Sequence, residues 1–178
     1  MVALRFRGAV SRFVGLPLLA LLVGAAHQTD ARETNHPVLA IAAFDFLDTS
    51  GEVRDQTVEH AERLKAVPAT LVDELSTATD LVEPTVLNCG QAECSMATAG
   101  VPELAEQARL SGGRYLLFGR VHKMSTLVGW MKFAVVDLEA DKPVCDRFLT
   151  YRGDTDEAWY RATRMMVRDI VKNCLPSG

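Results

Sequence analysis

The residues of this chain whose types could do chemistry are four cysteines and a few acids. Cys89, Cys94, Cys145 and Cys174 could hold a metal as thiolates, act as nucleophiles, or pair as disulfides. Metal binding calls for tighter clustering and neighbouring imidazoles, and no histidine stands near these positions. Pairing is the better expectation. Of the three possible connectivities, Cys89–Cys94 with Cys145–Cys174 is favoured, because the first closes a glycine-containing loop and the second ties a closing helix to the strand beneath it.

Asp45, Asp48 and Asp154, the last followed by Asp156 and Glu157, could offer oxygen ligands to a hard cation. Calcium-loop spacing is absent, and a capping box at a helix start, Asp154 with Glu157 three residues later, is the favoured reading. The same turn contains Arg152-Gly153-Asp154, an adhesion-like tripeptide whose Gly and Asp already suit a turn and a cap. His27, His36, His60 and His122 are scattered. His122 beside Lys123 could handle a proton, although a surface or edge-strand histidine is the simpler reading. No phosphate loop, nucleophile elbow, zincin helix or dinucleotide fingerprint occurs. The expectation is a non-enzyme that needs no cofactor.

The elements that must position these residues begin after a segment to be set aside. Arg5, Arg7 and Arg12 precede an apolar stretch, 13–26, that ends in small residues, the order of a secretory signal peptide. With Pro17 inside, that stretch is too short to span a bilayer. Cleavage after Ala26 or after Ala31 fits equally well, no cysteine lies nearby for a lipid anchor, and a flexible N-terminus over 27–37 follows. Removing residues 1–26 takes away three arginines and no acid, so 19 basic residues become 16 against 23 acidic ones, a formal charge of about −7. An acidic, exported, periplasmic protein with no stable membrane insertion is expected, and export favours disulfides.

Residues 38–175 then read as one α/β domain with the order β-α-β-α-β-β-β-α. Val38–Leu47 is a continuous apolar run, as in a buried strand, with Asp45 and Asp48 at its C-terminal end, where ligands of open α/β sheets often sit. An amphipathic helix follows over 54–79, and Pro68 is expected to kink or divide it. Leu81–Leu87 is a short strand that Pro84 places at an edge. Pro102 starts a helix to Leu110, and Ser111-Gly112-Gly113 stops it.

Three strands come next. Tyr115–Ser125 is the first, Leu127–Leu138 the second, with apolar residues on both faces, which are therefore expected to be mostly covered, and Val144–Arg152 the third. The closing helix, 155–173, has the apolar side Trp159, Ala162, Met166, Ile170 and Cys174. Its opposite stripe, Arg161, Arg164, Arg168 and Lys172, reads as a solvated face and not as a nucleic-acid surface, because the protein is acidic overall. Trp130 and Trp159 read as core anchors. Three helices on a mixed five-stranded sheet account for the pattern.

The early strand 42–46 and the run Gly112-Gly113-Arg114-Tyr115-Leu116-Leu117-Phe118-Gly119-Arg120-Val121 resemble the amino-terminal domain of TolB and the related curli-secretion lipoprotein fold. Residues 119–125 and 152–159 are similar to motifs of an uncharacterised family of secreted bacterial proteins. The resemblance implies a periplasmic α/β domain and no activity. TolB-like folds act in envelope assemblies by contacting other proteins, so an envelope protein or complex is the expected partner. The alternative is a small-molecule or metal-ion binding module serving a periplasmic oxidoreductase system, sited near Asp45, Asp48 and Asp154, with Trp159 as a further candidate contact.

Overall fold

The computed structural model describes residues 36–90 and 94–175. The expected signal peptide, its expected cleavage points and all but the end of the expected N-terminal stretch lie outside the described residues. The elements are β1 (Val38–Ile41), β2 (Asp45–Asp48), α1 (Thr57–Ala78), β3 (Glu83–Val86), α2 (Met96–Ala99), α3 (Val101–Leu110), β4 (Gly113–Lys123), β5 (Val128–Asp137), β6 (Lys142–Arg152) and α4 (Asp156–Asn173). The sheet order is β3-β1-β4-β5-β6, with β2 also paired to β4. The β1, β2 and β3 pairings are parallel, and β4-β5-β6 is an antiparallel meander. This is the expected α/β class on a mixed sheet, with six strands and four helices among the described residues where five and three were expected.

The extra strand comes from a break in the first apolar run. Ile41 and Asp45 are four residues apart, yet their partners on β4, Leu117 and Arg120, are three apart. One residue is therefore inserted, and Ala43 turns aside to donate to the Cys94 carbonyl at 2.8 Å. The insertion reverses the phase of the side chains. Leu39 and Ile41 point into the larger core cluster, Ala40 and Ala42 into the smaller one, and Phe44 and Phe46 return to the larger. Phe44 sits over Gly119, where a Cβ would come within 2.5 Å of its ring.

Three further expectations are corrected. α1 is one helix of 22 residues through Pro68. Val67, Leu71 and Leu75 are buried on either side of that proline, and their burial outweighs the lost backbone bond, about 3 kcal/mol. Asp154 does not cap α4; the Thr155 side chain accepts from the Ala158 N–H instead. The second face of β5 is not mostly covered, because α3 packs on β4 and the smaller core cluster reaches only the far end of β5 at Val136 and Leu138, leaving Trp130, Ala134 and Val136 only half-buried. Pro84 does lie in an edge strand, since β3 ends the sheet. Both favoured disulfides are present, Cys89–Cys94 and Cys145–Cys174, the second fastening the end of α4 to β6.

Candidate functional site

The larger core lies between one face of the sheet and the pair α1 and α4, and at one end it closes over charge. Tyr115, Leu117 and Val121 of β4 point into it, and Lys123, on the same alternation, is buried with them at 2 % exposure. α1 presents His60 on the same buried stripe as Val67, Leu71 and Leu75, with Arg63 one turn further on. The loop 49–56 brings Glu52 and Gln56, and the turn before α4 brings Asp154, with Trp159 one turn into the helix.

Asp154 is the centre. Its Oδ2 accepts from Lys123 Nζ at 2.9 Å and from His60 Nε2 at 2.8 Å. Its Oδ1 accepts from Trp159 Nε1 at 3.1 Å and from Arg63 Nη1 at 3.3 Å. All four acceptor positions of the carboxylate are thus taken, and the His60 nitrogen that meets it carries the hydrogen. Lys123 Nζ also donates to Glu52 Oε2 at 2.6 Å and lies 3.7 Å from Asp48 Oδ2. Gln56 donates to the same Glu52 oxygen at 2.9 Å, and Arg63 Nε to Asp156 at 2.7 Å.

Burial would push the Asp154 carboxyl up, but hydrogen bonds from Lys123, His60 and Trp159 outweigh it and hold the pKa at about 2. Burial would likewise push the Lys123 ammonium down, while Glu52 and Asp154 hold it above its ordinary value. Phe46, His60, Trp159 and Tyr151 form a ring stack beneath, with Phe46 and His60 4.7 Å apart. Tyr151 fits because Gly129 opposite it has no side chain; a Cβ there would lie 2.6 Å from the tyrosine ring. A hollow of about 460 Å³ lined by Phe46, Asp48, Glu52, Gln56 and His60 borders the cluster. Its base, acid and amine are engaged with one another, so the arrangement acts as an electrostatic clamp between β2, β4, α1 and α4.

Of the expected site residues, Asp48, Asp154 and Trp159 come together here. Asp45 does not. It points to the opposite face, where Oδ1 accepts from the Ala97 N–H at 3.0 Å and Oδ2, buried without a hydrogen bond, lies 3.6 Å from Arg120. Lys123, His60, Glu52 and Arg63 were not singled out in the sequence. Two signals were present: a lysine on the buried phase of an otherwise apolar strand, and a histidine on the apolar stripe of a helix.

The opposite face carries a second feature. Beyond the smaller core cluster, β4, β5 and β6 expose Phe118, Arg120, His122, Trp130, Lys132 and Phe148. Trp130 stands edge-on to His122 at 4.7 Å and beside Phe148 at 5.3 Å. His122 Nε2 meets Thr49 Oγ1 at 2.6 Å, while its Nδ1 is buried without a partner. Phe148 is 58 % exposed and Leu47 40 %. A groove of about 440 Å³ runs between Met96, Phe118, Trp130, Lys132 and Pro143. Trp130 is thus a surface aromatic and not a core anchor. The basic stripe of α4 is partly paired, Arg161 with Glu157 and Arg164 with Glu74. Among the described residues no group of three or more His, Cys, Asp or Glu could hold a metal ion, and no helix is long and apolar enough to cross a membrane.

Fold and site together define a disulfide-bonded α/β domain whose buried polar groups are committed to its own structure and whose sheet is half uncovered. The chain belongs to the DUF3280 family, "Protein of unknown function (DUF2380)", whose model matches residues 37–171. Among curated proteins none matches it. Among solved structures it is similar to the PelC dodecamer from Paraburkholderia phytofirmans, with 11 % identity, 80 % of this chain and 90 % of that one covered, and a TM-score of 0.53. It is also similar to TolB from Acinetobacter baumannii, with 13 % identity and a TM-score of 0.45, covering 78 % of this chain and 28 % of that one. Lipoprotein GNA1162 from Neisseria meningitidis matches at 14 % identity, with 76 % of this chain and 96 % of that one covered and a TM-score of 0.40. At these identities the likeness concerns the fold. The resemblance to an uncharacterised family, drawn from residues 119–125 and 152–159, holds.

Proposed function

We propose that the protein is an exported, non-catalytic accessory protein of the cell envelope that binds an envelope protein or complex through the uncovered half of its sheet. The observation that carries this reading is the contrast in use of polar and apolar groups. The base, acid and amine of the buried cluster are engaged with each other, whereas on the opposite face Phe148 and Leu47 are exposed and Trp130, beside Phe148, is only half-buried, so that these side chains add little to the fold. Exposed apolar patches of this kind mark interaction sites. The N-terminal segment 1–26 and the two disulfides support export and a periplasmic location. Asp48, Asp154 and Trp159 serve this function indirectly, by holding the strand ends and loops in place.

The test is affinity capture of the disulfide-bonded protein from an envelope extract after mild cross-linking, compared with Trp130→Ala. Trp159 is the wrong control, since at 2 % exposure its removal would perturb the fold. One saturable partner, lost in the Trp130→Ala variant, is expected. A folded wild-type protein that captures nothing, or the same set as the variant, overturns the reading.

A further inference from the structure

Among the described residues the sheet ends on β6, which pairs with β5 on one side only. Its first residues are unsuited to receive another strand. Pro143 lacks an N–H, and Val144 is an inserted residue, because Val135 pairs with Cys145 and Val136 with Pro143. Its end is fixed by the turn at Gly153, which has φ +91°. Between these two guards the regular edge runs from Asp146 to Arg152, and its midpoint is Leu149.

We propose that this edge pairs antiparallel with the same edge of a second copy, about a twofold axis at Leu149, joining two sheets into one. In that register Asp146 stands opposite the partner's Arg152, Phe148 opposite the partner's Thr150, and Arg147 opposite the partner's Tyr151. The twofold repeats each pair. The charges are complementary without adjustment. Asp146 is held only by Lys132 at 3.3 Å, an exposed pair, and the Arg152 side chain makes no ion pair or hydrogen bond among the described residues.

The apolar side chains agree with the charges. Asp146, Phe148, Thr150 and Arg152 all lie on the uncovered face, in the register that sets Phe148 beside Lys132 and Thr150 beside Trp130. Phe148, 58 % exposed, would meet its counterpart on the diagonal, within reach of an aromatic ring. With Trp130 5.3 Å behind it, four aromatic rings would line up across the seam. On the other face, Arg147 stays paired with Asp169 of its own α4, and a groove of about 510 Å³ between Thr150, Tyr151 and Arg152 of β6 and Ala158, Arg161 and Met165 of α4 leaves room for the partner's Leu149. The shift to any neighbouring register removes the charge pairing; one centred on Arg147, for instance, sets Lys142 against the partner's Arg152.

The test is sedimentation velocity of the disulfide-bonded protein over about 1–100 µM, with Asp146→Arg, Arg152→Asp and the double reversal Asp146→Arg/Arg152→Asp. Both positions are exposed, so all three variants should melt like the wild type, and melting is recorded to confirm it. The wild type is expected to be a dimer at the upper end of the range. Each single reversal should weaken it by at least about tenfold, since an attractive cross-strand pair becomes a repulsive one twice over, and the double reversal should restore it. A wild type that stays monomeric throughout overturns the proposal and leaves the edge to a different protein's strand. Single reversals that remain fully dimeric, or a double reversal that fails to restore the dimer, also overturn it. None of these outcomes decides whether the uncovered face binds an envelope protein, because that capture is read separately with Trp130→Ala.

Discussion

The two faces of one sheet use their polar residues in opposite ways. Under α1 and α4, Asp154, Lys123, His60, Glu52 and Arg63 are folded inward and bonded to one another. On the other face Phe148 and Lys132 stay in solvent, Trp130 is only half-covered, and Asp45 and His122 each keep a buried polar atom without a hydrogen bond. Burying charge is tolerable only when partners satisfy it, so the first face is built for stability. Leaving aromatic side chains in water adds nothing to a monomer, so the second is built for contact. The same substitution type should therefore cost stability on one face and association on the other.

The largest effect is expected at the hub. Asp154→Ala removes the acceptor of four donors and leaves Lys123 and His60 buried with fewer partners. The expected loss is about 3–5 kcal/mol, read from urea unfolding. Lys123→Met should lose clearly less, because Asp154 keeps His60, Arg63 and Trp159 while Glu52 keeps Gln56. If the two variants were equally stable, the cluster would be a surface network and the contrast between faces would fail. Breaking the Cys145–Cys174 bridge with a Cys145→Ser/Cys174→Ser pair comes next. That bridge closes a loop of sequence separation 29, and its loss should lower stability by about 3 kcal/mol. The Cys89–Cys94 loop, with a separation of 5, should matter less.

Acid should act on the same face. The Asp154 carboxyl titrates near 3.8 when unfolded and is held at about 2 in the fold. A depressed carboxyl contributes stability that is fully present above its unfolded value and disappears as pH falls through the folded one. The Asp154 contribution, roughly 1–2 kcal/mol after allowance for solvent screening, should thus be lost between about pH 4 and pH 2. Denaturant midpoints measured across that window should fall in the wild type, and fall less steeply in Asp154→Ala. Lys123, raised in the fold, has the opposite sign, and its contribution fades only in strong alkali.

How much of this was legible in the sequence follows from what each signal reports. Alternation and helical spacing gave the element order except for the split of the first strand and the short helix α2, together with the meander and the edge position of Pro84, because those patterns record which side chains are buried. The cysteine pairing was readable for a similar reason, one candidate pair closing a short loop and the other spanning a strand and its covering helix. The inserted residue near Ala43 was hidden, since Val38–Leu47 is apolar on both phases and a reversal of phase leaves no trace in such a run. Pro68 misled because its local cost is visible while the burial of Val67, Leu71 and Leu75 that offsets it depends on the sheet. Asp154 was placed at the right turn with the wrong role. Thr155, next to it, is an equally good cap, and only the long-range approach of Lys123 and His60 decides between them. Trp130 was taken for a core residue because a tryptophan in an apolar strand looks the same whether or not a helix covers it.

The smallest effect on stability, and the one that bears most on the contrast, belongs to the uncovered face. Trp130 is half-buried and Phe148 mostly exposed, and their partners across the face are each other and His122. Truncating Phe148 to alanine removes one aromatic contact and little buried area, so unfolding should shift by no more than about 1 kcal/mol. On the hub side, by contrast, Trp159 is buried against Phe46, His60, Tyr151 and the Asp154 carboxylate, and its truncation should fall in the range of about 3–5 kcal/mol. If Phe148→Ala leaves the melting temperature nearly unchanged yet weakens self-association in sedimentation, the aromatic row is maintained for contact across β6 and not for the fold. If it melts as early as Trp159→Ala, the row is core after all, and both faces of the sheet are devoted to stability.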